Sequence, residues 1–178
     1  MSCYSELINL IQKKKGLIFD FDGVLVDSVN IKTNAFSELF SKYEDTIRLS
    51  VVNHHLENGG MSRFEKIKYY YSFFLKKKLN KNELKSICDN FSNLVVEKVI
   101  SAPEISGSKK FIHEQFKKKK MLFINTGTPL DEINIILKKR SLHKYFDHVY
   151  GSPNSKEKNL NKIISGNSIN KDDYIFFW

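Results

Sequence analysis

Apolar residues recur at helical spacing over residues 4–12 and are followed by Lys13, Lys14 and Lys15, which predicts a short leading helix with cations at its negative end. Gly16 ends that pattern. Leu17-Ile18-Phe19-Asp20-Phe21 then forms an apolar run closing on acidic residues, the mark of a buried strand whose C-terminal end carries function. From about Val29 to Ile100 the period is mostly helical, with stretches near 29–43, 62–78 and 81–100, a turn at 80–82 and a loop at 54–60. Residues 101–107, with Pro103 and Gly107, give the clearest boundary in the chain. Beyond it the pattern predicts a helix (108–118), a strand (121–125), a helix (130–139), a strand (148–150), a helix (156–164) and a strand (174–178). Such alternation predicts an α/β fold, a parallel sheet with helices on both faces, and functional residues at the C-terminal ends of the strands. Those positions are 20–23, 126–129 and 151–156.

Composition narrows the class. The 178 residues are 41% hydrophobic and 28% charged with few Gly or Pro, enough for a core and against disorder. No apolar run is long enough for a membrane span, and the start lacks a basic region followed by an apolar stretch, so no membrane role and a cytoplasmic setting are expected. Cys3 and Cys88 have no metal-ligand spacing. The net charge of +9 comes almost wholly from Lys, Arg48, Arg63 and Arg140 being the only arginines. Solvated lysine clusters at 13–15, 76–78 and 117–120 explain it, and without a readable nucleic-acid module the surplus points to a small anionic substrate and no nucleic acid.

The strand ends carry the chemistry. A core strand gains nothing from Asp20 and Asp22, because a buried charge is costly unless paired or bound to metal. Two such carboxylates suit Mg²⁺ as hard oxygen ligands. One can attack a phosphoryl group, and the other can protonate the leaving oxygen and later activate water. Gly23 permits a sharp turn that presents N–H groups to phosphate oxygens. The Thr126 hydroxyl and Gly127 N–H can donate to a phosphate oxygen, and Lys156 can neutralise nucleophile and phosphoryl charge.

Asp20-Phe21-Asp22-Gly23-Val24-Leu25-Val26-Asp27-Ser28 resembles the first signature of the haloacid dehalogenase superfamily in its phosphatase branch, DxDGxxxDS/T. The stretch from Phe123 to Pro129 resembles the second, a strand ending in Thr or Ser, and Gly151 to Lys156 the third, with its lysine. The resemblance covers essentially the whole chain and implies a superfamily-like Rossmannoid sheet, with catalytic residues Asp20 (nucleophile), Asp22 (general acid/base), Thr126 and Lys156. It also implies Asp20 and the Asp22 carbonyl as Mg²⁺ ligands. Lys158 is an alternative for the lysine, and Asp27 is read as a helix cap or hinge residue. A second acid at Asp22 argues for an oxygen leaving group, against halide and phosphonate chemistry.

In this reading residues 1–27 and 103–178 form the catalytic core and 28–102 a small inserted α-helical cap that excludes water and contacts substrate. Gly60-Met61-Ser62-Arg63 resembles the GxSR stretch of β-phosphoglucomutase-like caps, in which the arginine holds a distal anionic group. Ser62 and Glu65 also read as an ordinary capping box, so substrate contact and capping geometry both stand for Arg63. His54 and His55 have a sugar hydroxyl, a metal, a loop or an interface as alternatives. The run 69–74 reads as cap core or a cap–cap contact, leaving monomer and cap-mediated dimer open, and Phe111, Phe116, Phe123 and Phe146 read as core.

The superfamily's fourth signature is an acidic pair after the next strand, but the sequence stops at Trp178, within strand 174–178. Asp172 and Asp173 precede that strand and cannot substitute. A truncated gene or an expression boundary, with weakened Mg²⁺ binding and little or no turnover, is therefore expected. The functions expected are a Mg²⁺-dependent phosphatase acting on a small phosphorylated metabolite, a phosphomutase, or a weakly active module binding a phosphate ligand.

Overall fold

The computed structural model describes Cys3–Trp178; Met1 and Ser2, the first residues of the start read for a basic region, lie outside that span. Four parallel strands, β1 (Gly16–Phe19), β2 (Met121–Pro129), β3 (His148–Ser152) and β4 (Tyr174–Phe177), form a sheet in the order β3-β2-β1-β4. β1 therefore lies between β2 and β4, and strand order reverses beside it. Side chains alternate across the strands. Leu17, Phe19, Leu122 and Ile124 join the main core with Ile112 of α6 (Ser108–Lys117) and Ile133, Ile136 and Leu137 of α7 (Leu130–Lys139). Ile18 and Phe123 face the other side, against Ile163 of α8 (Lys156–Ser165). Both sheet faces are thus covered, as the buried strand runs require.

α1 (Cys3–Lys13) precedes β1. Lys120 fastens the end of that helix by donating to the carbonyls of Ile11 (2.5 Å), Gln12 (3.1 Å) and Lys14 (2.5 Å), so one lysine of the 117–120 cluster is structural. Between β1 and β2 come α2 (Val29–Leu39), α3 (Asp45–Glu57), α4 (Arg63–Tyr69), a π-helical turn (Tyr70–Phe74) and α5 (Lys81–Ser101). Asn80 caps α5, and Ser62 caps α4 in a reciprocal box with Glu65. The aromatic run splits: Tyr70 is buried, while Phe73 is exposed and stacks on Tyr69.

Three expectations are corrected. The loop at 54–60 is in its first part the end of α3, because Val51 and His55, one turn apart, pack under α2, with the His55 ring 4.7 Å from that of Phe36. The single helix over 62–78 stops at Tyr69, where the bonding lengthens to Leu75 N–H donating to the Tyr70 carbonyl. Phe116 is exposed, edge-on to Tyr145, whereas Phe123 and Phe146 are buried. Asp172 and Asp173 do lie at the start of β4, where Asp173 pairs with Lys15 at 3.1 Å.

Candidate active site

β1 delivers Asp20 and Asp22 at its C-terminal end. Residues 21–26 then fold back on themselves, with the Gly23 N–H donating to the Val26 carbonyl at 2.8 Å. Gly23 has φ +77°, a left-handed conformation that glycine adopts without steric cost. Asp20 is buried, its Oδ1 accepting from the Phe21 N–H (2.7 Å) and its Oδ2 from Lys156 Nζ (2.5 Å). Burial pushes its carboxyl up from the ordinary value, and Lys156 opposes that rise without cancelling it. Lys158 is exposed, and its N–H donates to the Ser155 side chain capping α8, so Lys156 is the lysine at the site. Asn125 sets its position: the amide of this fully buried residue donates to the Lys156 carbonyl at 2.9 Å, tying β2 to the start of α8.

Asp22 is surrounded by donors. Ser28 Oγ donates to Oδ1 at 2.6 Å, Thr128 Oγ1 donates to Oδ2 at 3.2 Å, and Lys32 Nζ forms an ion pair with Oδ2. Burial alone would raise this carboxyl, but Lys32, Ser28 and Thr128 together hold it below the ordinary range. Thr126 is buried, and its hydroxyl accepts the Thr128 N–H at 3.2 Å. Asp27 is exposed, and Ser28 stands at the N-cap of α2. The Asp27 N–H donates to the Pro103 carbonyl at 2.9 Å, joining the two chain crossings that lead into and out of the helical segment.

These strand ends open into a cavity of about 200 Å³ lined by Asp20, Asp22, Gly23, His55, Arg63 and Gly127. Lys32, Phe36, Lys66 and Thr128 also line it. A Cβ on Gly127 would stand 3.0 Å from the Gly60 carbonyl oxygen, so the α3–α4 loop rests directly on the strand end. Arg63 is both part of the helix start and a buried partner of the sheet side. Its guanidinium clasps Glu132 of α7, with Nη1 to Oε2 at 2.8 Å and Nη2 to Oε1, and Nη1 also donates to Ser92 of α5 at 2.6 Å.

Lys32, Lys66 and Glu132 escaped the sequence reading. Lys32 and Lys66 sit in ordinary helical stretches, and Glu132 looks like a first-turn acid favoured at any helix N-terminus. Thr128 lies within the strand-end stretch 126–129 marked in the sequence, though its hydrogen bond to Asp22 is visible only in the fold.

The carboxylate pair supplies hard oxygen donors of the kind that bind Mg²⁺ through one or two carboxylates together with waters and substrate phosphate, so the residues fit that ion. Among the described residues no third His, Cys, Asp or Glu joins a cluster with them. No helix among these residues is long and apolar enough to cross a membrane.

A family model described as haloacid dehalogenase-like hydrolase matches residues 17–177. Among solved structures, a β-phosphoglucomutase from Clostridium difficile superposes with a TM-score of 0.70 at 18% identity, over 92% of this chain and 75% of its own. A protein from Clostridium acetobutylicum described as a predicted phosphatase gives 0.69 at 21%, over 92% and 74%. A Bacillus subtilis HAD-hydrolase, YfnB, solved bound to magnesium, gives 0.65 at 16%, over 92% and 79%. At these identities the likeness is one of fold. No curated protein matches the chain.

Proposed function

The chain belongs to the haloacid dehalogenase-like hydrolases, and from that premise we propose that it is a Mg²⁺-dependent phosphomonoester hydrolase working through an aspartyl phosphate on Asp20. The observation that carries this is the pairing of Asp20 with Lys156 at 2.5 Å beside Asp22, the two carboxylates following β1 and the lysine opening α8 after β3. In this reading residues 1–27 and 103–178 are the catalytic core of a cytoplasmic enzyme, and 28–102 are a cap over its site. The substrate is a small phosphorylated metabolite, as the cavity of about 200 Å³ suits.

An Asp20 carboxylate oxygen attacks phosphorus, forming the acyl phosphate as the ester P–O bond breaks. The departing oxygen takes a proton from Asp22. Asp22 then accepts a proton from water as the water oxygen bonds to phosphorus and releases Asp20 and inorganic phosphate. Lys156 offsets charge on Asp20 and the phosphoryl oxygens, and the Thr126 hydroxyl and Gly127 N–H are the donors toward them. The Asp20 carboxylate and the Asp22 carbonyl would hold Mg²⁺, which would supply further neutralisation of the phosphoryl group. Because Lys32 favours the ionised form of Asp22, Asp22 takes up, from solvent or from the monoanion of the substrate phosphate, the proton it then donates as the leaving oxygen enters that hydrogen-bond set.

The test is phosphate release from a panel of sugar phosphates and smaller phosphate esters in the presence of Mg²⁺, with Asp20→Asn as the blank. Release by the wild type, however slow, that is absent from the variant is expected. Equal release by both overturns the assignment of Asp20. Transfer of the phosphoryl group to a second hydroxyl of a bisphosphate, instead of to water, marks a phosphomutase.

A further inference from the structure

Three of the four cations around the cavity have a carboxylate partner. Lys156 pairs with Asp20, Lys32 with Asp22 and Arg63 with Glu132. Lys66 of α4 is the exception among the described residues: it is 2% exposed, and its ammonium meets only His55, at 2.7 Å from Nδ1 and 3.2 Å from the carbonyl, with the Phe36 ring centroid 5.7 Å away. An unpaired ammonium is costly to bury, and a core helix position could have been filled by an apolar side chain at no such cost. The Lys66–His55 pair is instead on the cavity wall, contributed by α3 and α4, where a bound molecule can reach it.

We infer that Lys66, steadied by His55, is the subsite for a second anionic group on the substrate, so that the favoured phosphate esters carry a carboxylate or a further phosphate on a small leaving group. This rests on the phosphohydrolase reading for the place of the reacting phosphoryl group. It adds the substrate class and the residues that select it.

Three features support the inference. Lys66 is pushed down to about 7 by burial, aided by Lys32 and Lys156 and opposed by Asp22, which is the condition of an ammonium short of a counterion. Burial likewise holds His55 down to about 3, so its ring is neutral; with Nδ1 accepting from Lys66, its proton is on Nε2. Arg63, the residue that resembles a distal-anion ligand, already has both guanidinium nitrogens on Glu132, which leaves Lys66 as the cation open to a new partner. The phosphoryl group is met by Asp20, Thr126, Gly127 and Lys156 at the strand ends, so the helical wall is left to read the leaving group.

Binding without turnover separates this inference from the hydrolase reading. Calorimetric titration with Mg²⁺ would compare hydroxyethylphosphonate, carboxyethylphosphonate and ethylene diphosphonate against the wild type, Lys66→Met and His55→Gln. The wild type is expected to bind at least one anionic analogue roughly 10-fold or more tighter than the hydroxyl analogue, as a charge-assisted bond provides. Lys66→Met should remove that advantage and His55→Gln reduce it, thermal melts showing each variant folded. Whichever anionic arm leads identifies carboxylate or phosphate as the source. Equal binding of all three analogues by the wild type, no binding of any, or an equal loss on all three in Lys66→Met overturns the subsite. If phosphate release fails while the selective binding holds, the hydrolase reading falls and the anion subsite stands. The wild-type preference is decisive even if a variant does not fold.

Discussion

Asp22 and Lys32 illustrate how one neighbour sets the chemistry of a carboxylate. The folded value of Asp22 lies below its ordinary 3.8, so the stabilisation from its partners is present above that pH and fades as pH falls below it. Lys32→Met leaves burial unopposed by a cation and should lower stability at pH 7 by about 1–3 kcal/mol, a partly exposed pair being worth less than a fully buried one. Urea denaturation should show the deficit shrinking toward acid pH, where Asp22 protonates. For Lys66 the folded value of about 7 lies below the 10.5 of the free side chain, so the unfolded chain binds the extra proton between them and stability rises with pH across that window. Urea midpoints between pH 7 and 10 should therefore climb more steeply in the wild type than in Lys66→Met; parallel profiles would refute this. Asp20, Asp22 and Lys156 were legible because their types are anomalous after buried strands. Lys32 and Lys66 were not, since a lysine on an amphipathic helix is ordinarily solvated, and only the folding of α2, α3 and α4 around the cavity buries these two.

At the level of elements, the clasp of Arg63 on Glu132 joins α4 to α7, with Ser92 of α5 sharing the load. Glu132→Ala strands a buried guanidinium and should cost about 3–5 kcal/mol, while adding Arg63→Met should recover much of that loss. Chemical denaturation of the two single variants and the double one measures the coupling, and simple additivity would show that the pair contributes nothing. Whereas β2, predicted over 121–125, runs on to Pro129, the boundaries of α7 and α8 follow closely from the apolar periods. α3 does not, because a buried histidine occupies its inward stripe while Leu49 and Leu56 face solvent, inverting the usual pattern. Its helical state is set by packing against α2, which no local window contains.

For the molecule as a whole, the parallel sheet and the convergence of three strand ends were legible from the alternation of strands and helices, while the order β3-β2-β1-β4 was not. The seating of the helical segment on those ends was not, since contacts such as Gly60 on Gly127 join residues far apart in sequence and follow no motif. Gly127→Val should lift the α3–α4 loop, and limited proteolysis within residues 58–61 should then run several-fold faster than in the wild type; unchanged cleavage would show that the loop yields without moving away. Trp178, which borders the cavity, has the Lys156 ammonium 5.5 Å from its ring and is the chain's single tryptophan. An occupant that draws Lys156 toward its phosphoryl oxygens changes the electric field on that indole. The protein thus carries its own optical gauge, and titration with inorganic phosphate should shift the ultraviolet emission of the wild type, a signal that Trp178→Phe abolishes.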